Sequence, residues 1–120
     1  MTRNKAKAEW RGRRAENWAA LYLVLSGWRV LGRRVRCSRG EVDIVARRGR
    51  TVCFVEVKWR AARGDLDTAI TQARLRRVAA AAAVVAPRYV QDGDEQRIDV
   101  MLMAPRTWPR RIVNAWQPGA

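Results

Sequence analysis

The stretch from Gly40 to Arg60, GEVDIVARRGRTVCFVEVKWR, constrains the fold more than any other part of the chain. Two runs of alternating apolar and polar residues flank the dipeptide Gly49-Arg50. Glycine at the first position of a two-residue loop suits a type II′ hairpin, because that position requires a positive φ. With that loop, Asp43 is expected to lie opposite Glu56, and Glu41 opposite Lys58. Side chains alternate faces along a strand, so the hairpin separates into two sides. Val42, Ile44, Ala46, Cys53, Val55 and Val57 form one apolar face. Glu41, Asp43, Glu56 and Lys58 share the other, with Val45 and Phe54 toward the turn. A one-residue slip would scramble this separation, so the pattern itself specifies the register.

The remaining elements are read around this hairpin. The first ten residues are charged and are expected to fray. From about Arg11, Ala15, Trp18, Ala19, Tyr22 and Leu25 recur at helical spacing and predict an amphipathic helix. Gly27 is placed to cap it in a left-handed conformation, ending the helix near Ser26. WRVLGRRVR reads as a strand interrupted or bulged at Gly32. After a polar loop, a second helix is predicted from Thr71, its N-cap, to Ala86, with Pro87 beyond its end. Its apolar stripe is Leu75, Val78, Ala79, Ala82 and Val85. Residues 91–96 read as a turn, Arg97 to Ala104 as a strand and Ile112 to Trp116 as a short last strand. This order predicts an α/β fold, a mixed β-sheet flanked by helices. No internal repeat or linker divides the chain. Residues 1–120 therefore read as a single domain, with 105–120 as a C-terminal extension.

Charge narrows the partners. A formal net charge of +14 on 120 residues favours polyanions, and nucleic acid is the default partner for such a domain. The apolar run from Val78 to Pro87 is too short to span a bilayer, and the polar N-terminal segment lacks a signal peptide's apolar stretch. The expectation is a cytoplasmic protein with no membrane partner. The chain has no histidine, which excludes serine–histidine triads and histidine-ligated zinc. Its two cysteines, Cys37 and Cys53, are too few for a disulfide framework and are expected to be inert, Cys53 within the core.

The polar face of the hairpin carries the chemistry. Crowded carboxylates raise one another's pKa unless a cation sits among them. Mg²⁺, or Mn²⁺ in its place, suits oxygen-only ligands, and such an ion activates water and offsets charge on a phosphate. Lys58, two residues beyond Glu56, projects to the same face, where an ammonium can orient the water or offset developing charge. Only three of the 25 basic residues are lysines, and Lys58 alone of them is internal to the predicted fold. The competing reading is a solvated strand face with Glu41 and Lys58 as a cross-strand ion pair. The apolar run Cys-Phe-Val leading into Glu-Val-Lys weighs against it, because an ordinary exposed edge is more polar. Arginines at 33, 34, 36, 39, 47, 48, 50, 60 and 63 gather near the proposed site. There they would contact phosphates with little sequence preference and strong salt dependence.

Four segments, GRRAENWAALYL, GEVDIVARRGRTVCFVEVKWR, TQARLRRVAAAA and RIDV, resemble the YraN-like (UPF0102-type) family of small bacterial proteins. The resemblance covers roughly residues 12–100. That family is similar to archaeal Holliday-junction resolvases, within the restriction-endonuclease-like PD-(D/E)XK superfamily. The resemblance implies a restriction-endonuclease-like mixed sheet. It implies Asp43, Glu56 and Glu16 as ligands for Mg²⁺ or Mn²⁺, with Lys58 as the catalytic lysine. Glu41, preceding the aspartate in the G-E-x-D pattern, is a candidate supporting residue behind those ligands. The chain departs from the family pattern at Arg74, where lysine is expected, at Arg34, where asparagine is common, and at Trp59, where a small hydroxyl residue is usual. Arg34, Arg36, Arg39, Arg60, Arg63 and Arg74 are the candidate nucleic-acid contacts.

Two functional classes follow. One is a Mg²⁺-dependent DNA endonuclease acting on branched or single-stranded DNA. The other is a non-catalytic nucleic-acid-binding protein that keeps the nuclease fold. Trp18 and Trp28 are expected in the core and Trp59 packed beside it. Trp108 and Trp116 are expected to pack back on the sheet or to form a homodimer contact.

Overall fold

In the computed structural model, which describes residues 2–60 and 71–116 and side chains from Arg13 onward, the elements follow the expected order. They are α1 (Thr2–Leu25), β1 (Arg29–Cys37), β2 (Gly40–Arg48), β3 (Thr51–Trp59), α2 (Gln72–Val85), a 3₁₀ turn (Ala86–Arg88), β4 (Glu95–Met103) and β5 (Arg110–Ile112). The five strands form one sheet in the order β1-β2-β3-β4-β5. All neighbours pair antiparallel except β3 and β4, which are parallel and joined through α2. A parallel neighbour needs such a crossover, whereas the antiparallel ones close through short turns. This is a mixed sheet with a helix on each side, the predicted α/β, restriction-endonuclease-like class.

The hairpin register agrees with the expectation from Ile44↔Val55 to Arg48↔Thr51, and Gly49 takes φ 61° in the loop. Both faces of the hairpin are buried. Ile44, Ala46, Cys53 and Val55 pack under α1 with Ala15, Ala19, Ala20 and Leu23. Val45, Val52 and Phe54 pack under α2 with Ala81, Ala82 and Val85. Val42 departs from the expected face: it joins Val35 on the α2 side. Between Val42 and Ile44 strict alternation fails, and across from this point Arg34 adopts φ 50°, unusual for a bulky residue. The first two strands therefore bend together near Asp43.

Three other details differ from the sequence reading. The helix α1 begins at Thr2, taking in the segment expected to fray. Its core stripe is Ala15, Ala19 and Leu23, whereas Trp18 is 55% exposed and Leu25 78%. Ala15 and Ala19 let the helix approach the sheet closely, and Trp18 lies outside that contact. Third, β5 stops at Ile112 because Asn114 turns to φ 53° and donates its backbone N–H to Asp99 Oδ1 at 2.8 Å.

The caps follow their sequence signals. Gly27 (φ 92°) closes α1, its N–H donating to Val24 O and the Trp28 N–H to Leu23 O, a Schellman arrangement. Thr71 Oγ1 accepts from Arg74 N at 3.1 Å at the start of α2. The β1 bulge falls at Leu31, beside Gly32, where a Cβ would stand 2.7 Å from the Tyr89 hydroxyl. No described helix is long and apolar enough to cross a membrane.

Candidate metal centre and its arginine partners

The site forms where β2 and β3 part. Their ladder ends at Ile44↔Val55, so Asp43 and Glu56 do not face each other as a backbone pair. The Asp43 carboxylate fills the gap instead, its Oδ2 accepting from Val57 N at 2.7 Å. An aspartate does here what a strand carbonyl would do further along the ladder, and its second oxygen remains for other partners.

Glu16 of α1 and Glu41 of β2 meet Asp43 at this opening. One carboxylate oxygen from each lies within 4.8 Å of the others, the single such group among the described residues. Glu41, expected as a supporting residue, brings a carboxylate oxygen into the same group as Glu16 and Asp43. It faces Arg36 across β1, not Lys58. Glu56, from β3, also borders Asp43 but is not one of the three converging groups. It points toward α2 and is 2% exposed.

Each acid except Asp43 has an arginine. Arg34 Nε lies 2.7 Å from Glu16, Arg36 Nε 3.3 Å from Glu41, and Arg74 reaches Glu56 Oε1 at 2.9 Å through Nε and 2.8 Å through Nη2. Three of the arginines nominated as phosphate contacts are thus ion-paired to the site's own carboxylates. Arg39 is exposed in the β1–β2 turn, Arg60 donates to the Trp59 carbonyl at 3.0 Å, and Arg63 lies outside the described residues. Lys58 Nζ stands 3.6 Å from Glu56 Oε1, so Lys58 and Arg74 converge on one oxygen.

The electrostatics follow from this crowding. Burial, then the charges of Glu56 and Glu16, push the Asp43 carboxyl up to about 8, against the opposing Val57 N–H bond. Burial, then the nearby Arg74 guanidinium, lowers the Lys58 ammonium below its ordinary value, while Glu56 resists. The converging donors are oxygens only, from α1 and β2, and burial with the neighbouring negative charges holds the Asp43 carboxyl above its ordinary value. Such a set fits a hard divalent cation, which Glu16, Glu41 and Asp43 would hold, with Glu56 beside them.

A second buried acid was not singled out in the sequence beyond its place in RIDV. Asp99 of β4 is fully buried and accepts from Arg97, Arg111 and the Asn114 N–H. Burial alone would raise its carboxyl, yet these bonds, with the Cys53 thiol, hold it below the ordinary value. Arg48, Arg97 and Arg111 all lie over the Trp28 ring, at 4.8, 5.5 and 4.7 Å from its centroid. Burial and then Asp99 push the Cys53 thiol up to about 12, which makes it unreactive. This cluster ties β4 to β5 and to the start of β1.

Fold and site together define an α/β protein whose sheet carries a carboxylate cluster at the parting of two strands. The chain matches the family described as "Uncharacterised protein family UPF0102" over residues 15–103, and it belongs to that family. It is 62% identical over 118 residues to a UPF0102 protein of Sphingopyxis alaskensis, covering 98% of this chain and all of the relative. A UPF0102 protein of Erythrobacter litoralis is 57% identical over 111 residues, covering 92% of this chain and 96% of the relative. That of Rhizorhabdus wittichii is 53% identical over 112 residues, covering 93% and 95%.

Proposed function

We propose that this protein is a Mg²⁺-dependent DNA endonuclease, cutting branched or single-stranded DNA by attack of water on a phosphodiester. The observation that carries the reading is the convergence of Glu16, Glu41 and Asp43, with Glu56 and Lys58 beside them, in a chain of net charge +14. So basic a protein gains nothing in solubility by gathering partly buried acids together. Their repulsion is a cost that a bound cation removes. When bound, Mg²⁺ would supply an acidified water and stabilisation of charge on the phosphate.

The chain's own groups provide the rest. Glu16 of α1 and Glu41 and Asp43 of β2 face one space, and a cation that displaces the Asp43 proton would meet a phosphate there. Lys58, with its lowered pKa, donates toward the attacking water or the phosphate oxygen and is held in place by Glu56. Arg34, Arg36 and Arg74 offset the carboxylates in the free protein, and they can turn outward to phosphates once a cation takes over that neutralisation. Arg39 and Arg60 extend the basic surface beyond the site.

The test is incubation of the protein with a four-way DNA junction and with single-stranded DNA, in Mg²⁺ and in EDTA. Cleavage in Mg²⁺ alone supports the reading. DNA binding without cleavage in either Mg²⁺ or Mn²⁺ would instead favour a nucleic-acid-binding protein that keeps the nuclease fold.

A further inference from the structure

Beside the carboxylate site, α1 and the β4–β5 connection enclose an open groove of about 810 Å³. Trp18, Tyr22, Trp59 and Trp108 line it, together with Arg14 and Arg106. We propose that this groove binds the unpaired bases of single-stranded nucleic acid by stacking. The proposal rests on the nuclease reading above and names the substrate feature that would lead a strand into that site.

Three observations carry it. The first is exposure. Trp108 is 87% exposed and Trp18 55%, with Leu21 and Leu25 exposed nearby. An aromatic patch left in water beside a groove marks an interaction surface. Rings with free faces are also how sequence-tolerant proteins hold single strands. The second is rigidity. Trp108 sits between Pro105 and Pro109, Thr107 Oγ1 donates to Ala104 O at 3.2 Å, and Arg106 takes φ 59°. The two prolines restrict the backbone of the loop before any base is bound, so less entropy is lost when a base stacks on it.

The third is charge. Among the described lining residues the charged ones are both arginines, and no carboxylate lines the groove. A second copy of this chain would bring another +14 against the same face, whereas a polyanion relieves the repulsion. The groove and the carboxylate site share α1, where Ala15 of the lining precedes Glu16, whereas Trp59 lies on the face of β3 opposite Lys58. The volume is in the range of pockets that enclose a nucleotide-sized ligand.

The experiment measures binding of the full-length protein to oligo-dT and to a duplex of equal length, both in EDTA so that nothing is cut. Trp18→Ala/Trp108→Ala should lose at least about tenfold in oligo-dT affinity and keep its duplex affinity, with Trp108→Phe close to wild type. Both indoles are largely outside the core, and an unchanged thermal midpoint verifies that the variant folds. Oligo-dT binding unchanged by the double substitution would overturn the proposal. So would a wild-type dimer that Trp108→Ala converts to monomer while oligo-dT leaves it intact, because the groove would then be a subunit interface. Since binding is read without cleavage, an inactive protein with this binding pattern removes only the nuclease reading. Mg²⁺-dependent cleavage with oligo-dT binding unaltered in the variant removes only the groove.

Discussion

At Asp43, burial and the negative charges of Glu56 and Glu16 act in one direction and outweigh the Val57 N–H that favours ionisation. The folded chain keeps this proton to about pH 8, while the unfolded chain releases it near the model-peptide value of about 4. Between those limits the folded state binds more protons than the unfolded one. The stability due to this group is therefore complete at low pH and lost as pH rises through about 8. In EDTA, Asp43→Asn should raise the thermal midpoint at about pH 8 by on the order of 5 °C and flatten its decline, as scanning calorimetry across the pH range would show. A midpoint no higher than wild type would mean that Asp43 is not under electrostatic stress. Lys58 offers a complementary check. Lys58→Arg retains the charge but replaces a compact ammonium with a planar fork, so cleavage should fall by about a hundredfold or more while DNA affinity is kept. Parallel measurement of rate and affinity decides it.

Among the elements, the hairpin was the most legible and α1 the least. A glycine at the turn and two differently patterned strands leave one workable register, and Ile44 to Arg48 adopt it. What the pattern could not show is that the strands separate at Asp43, because a carboxylate standing in for a carbonyl is a matter of three-dimensional reach. In α1, helical spacing identified Ala15 and Ala19 correctly but could not rank alanine against tryptophan. The small side chains take the contact with the sheet, and Trp18 faces the groove instead. The end of β5 was displaced for a related reason: the Asn114 backbone is claimed by Asp99, fifteen residues earlier. Close approach also explains Gly32, whose added Cβ would meet the Tyr89 hydroxyl at 2.7 Å and Val35 Cγ2 at 3.0 Å. Gly32→Ala should destabilise by about 1–3 kcal/mol. In a Tyr89→Phe background, where the nearest atom is gone, the loss should be smaller, and denaturant unfolding of the double-mutant cycle would reveal that coupling. Equal losses in the two backgrounds would place the strain elsewhere.

For the molecule as a whole, charge and site pull in opposite directions, and the arginine pairs show how the conflict is contained. Composition raised the expectation of a polyanion partner, and the hairpin that of a group of acids. Neither showed that Arg34, Arg36 and Arg74 would be spent on Glu16, Glu41 and Glu56, because each pair joins residues from different strands or from a helix and a strand. DNA affinity should fall steeply between about 50 and 200 mM salt, with little dependence on sequence. A nearly flat salt profile in a filter-binding or anisotropy titration would argue against the basic surface as the contact. The central claim, that the carboxylates gathered at the parting of β2 and β3 hold a catalytic cation, is tested most directly through Asp43. Cleavage of branched or single-stranded DNA by Asp43→Asn and by wild type should be compared in Mg²⁺ at equal DNA occupancy. The account predicts that Asp43→Asn binds DNA as tightly as wild type or tighter, and does not cut it. Cleavage by Asp43→Asn at the wild-type rate would contradict it.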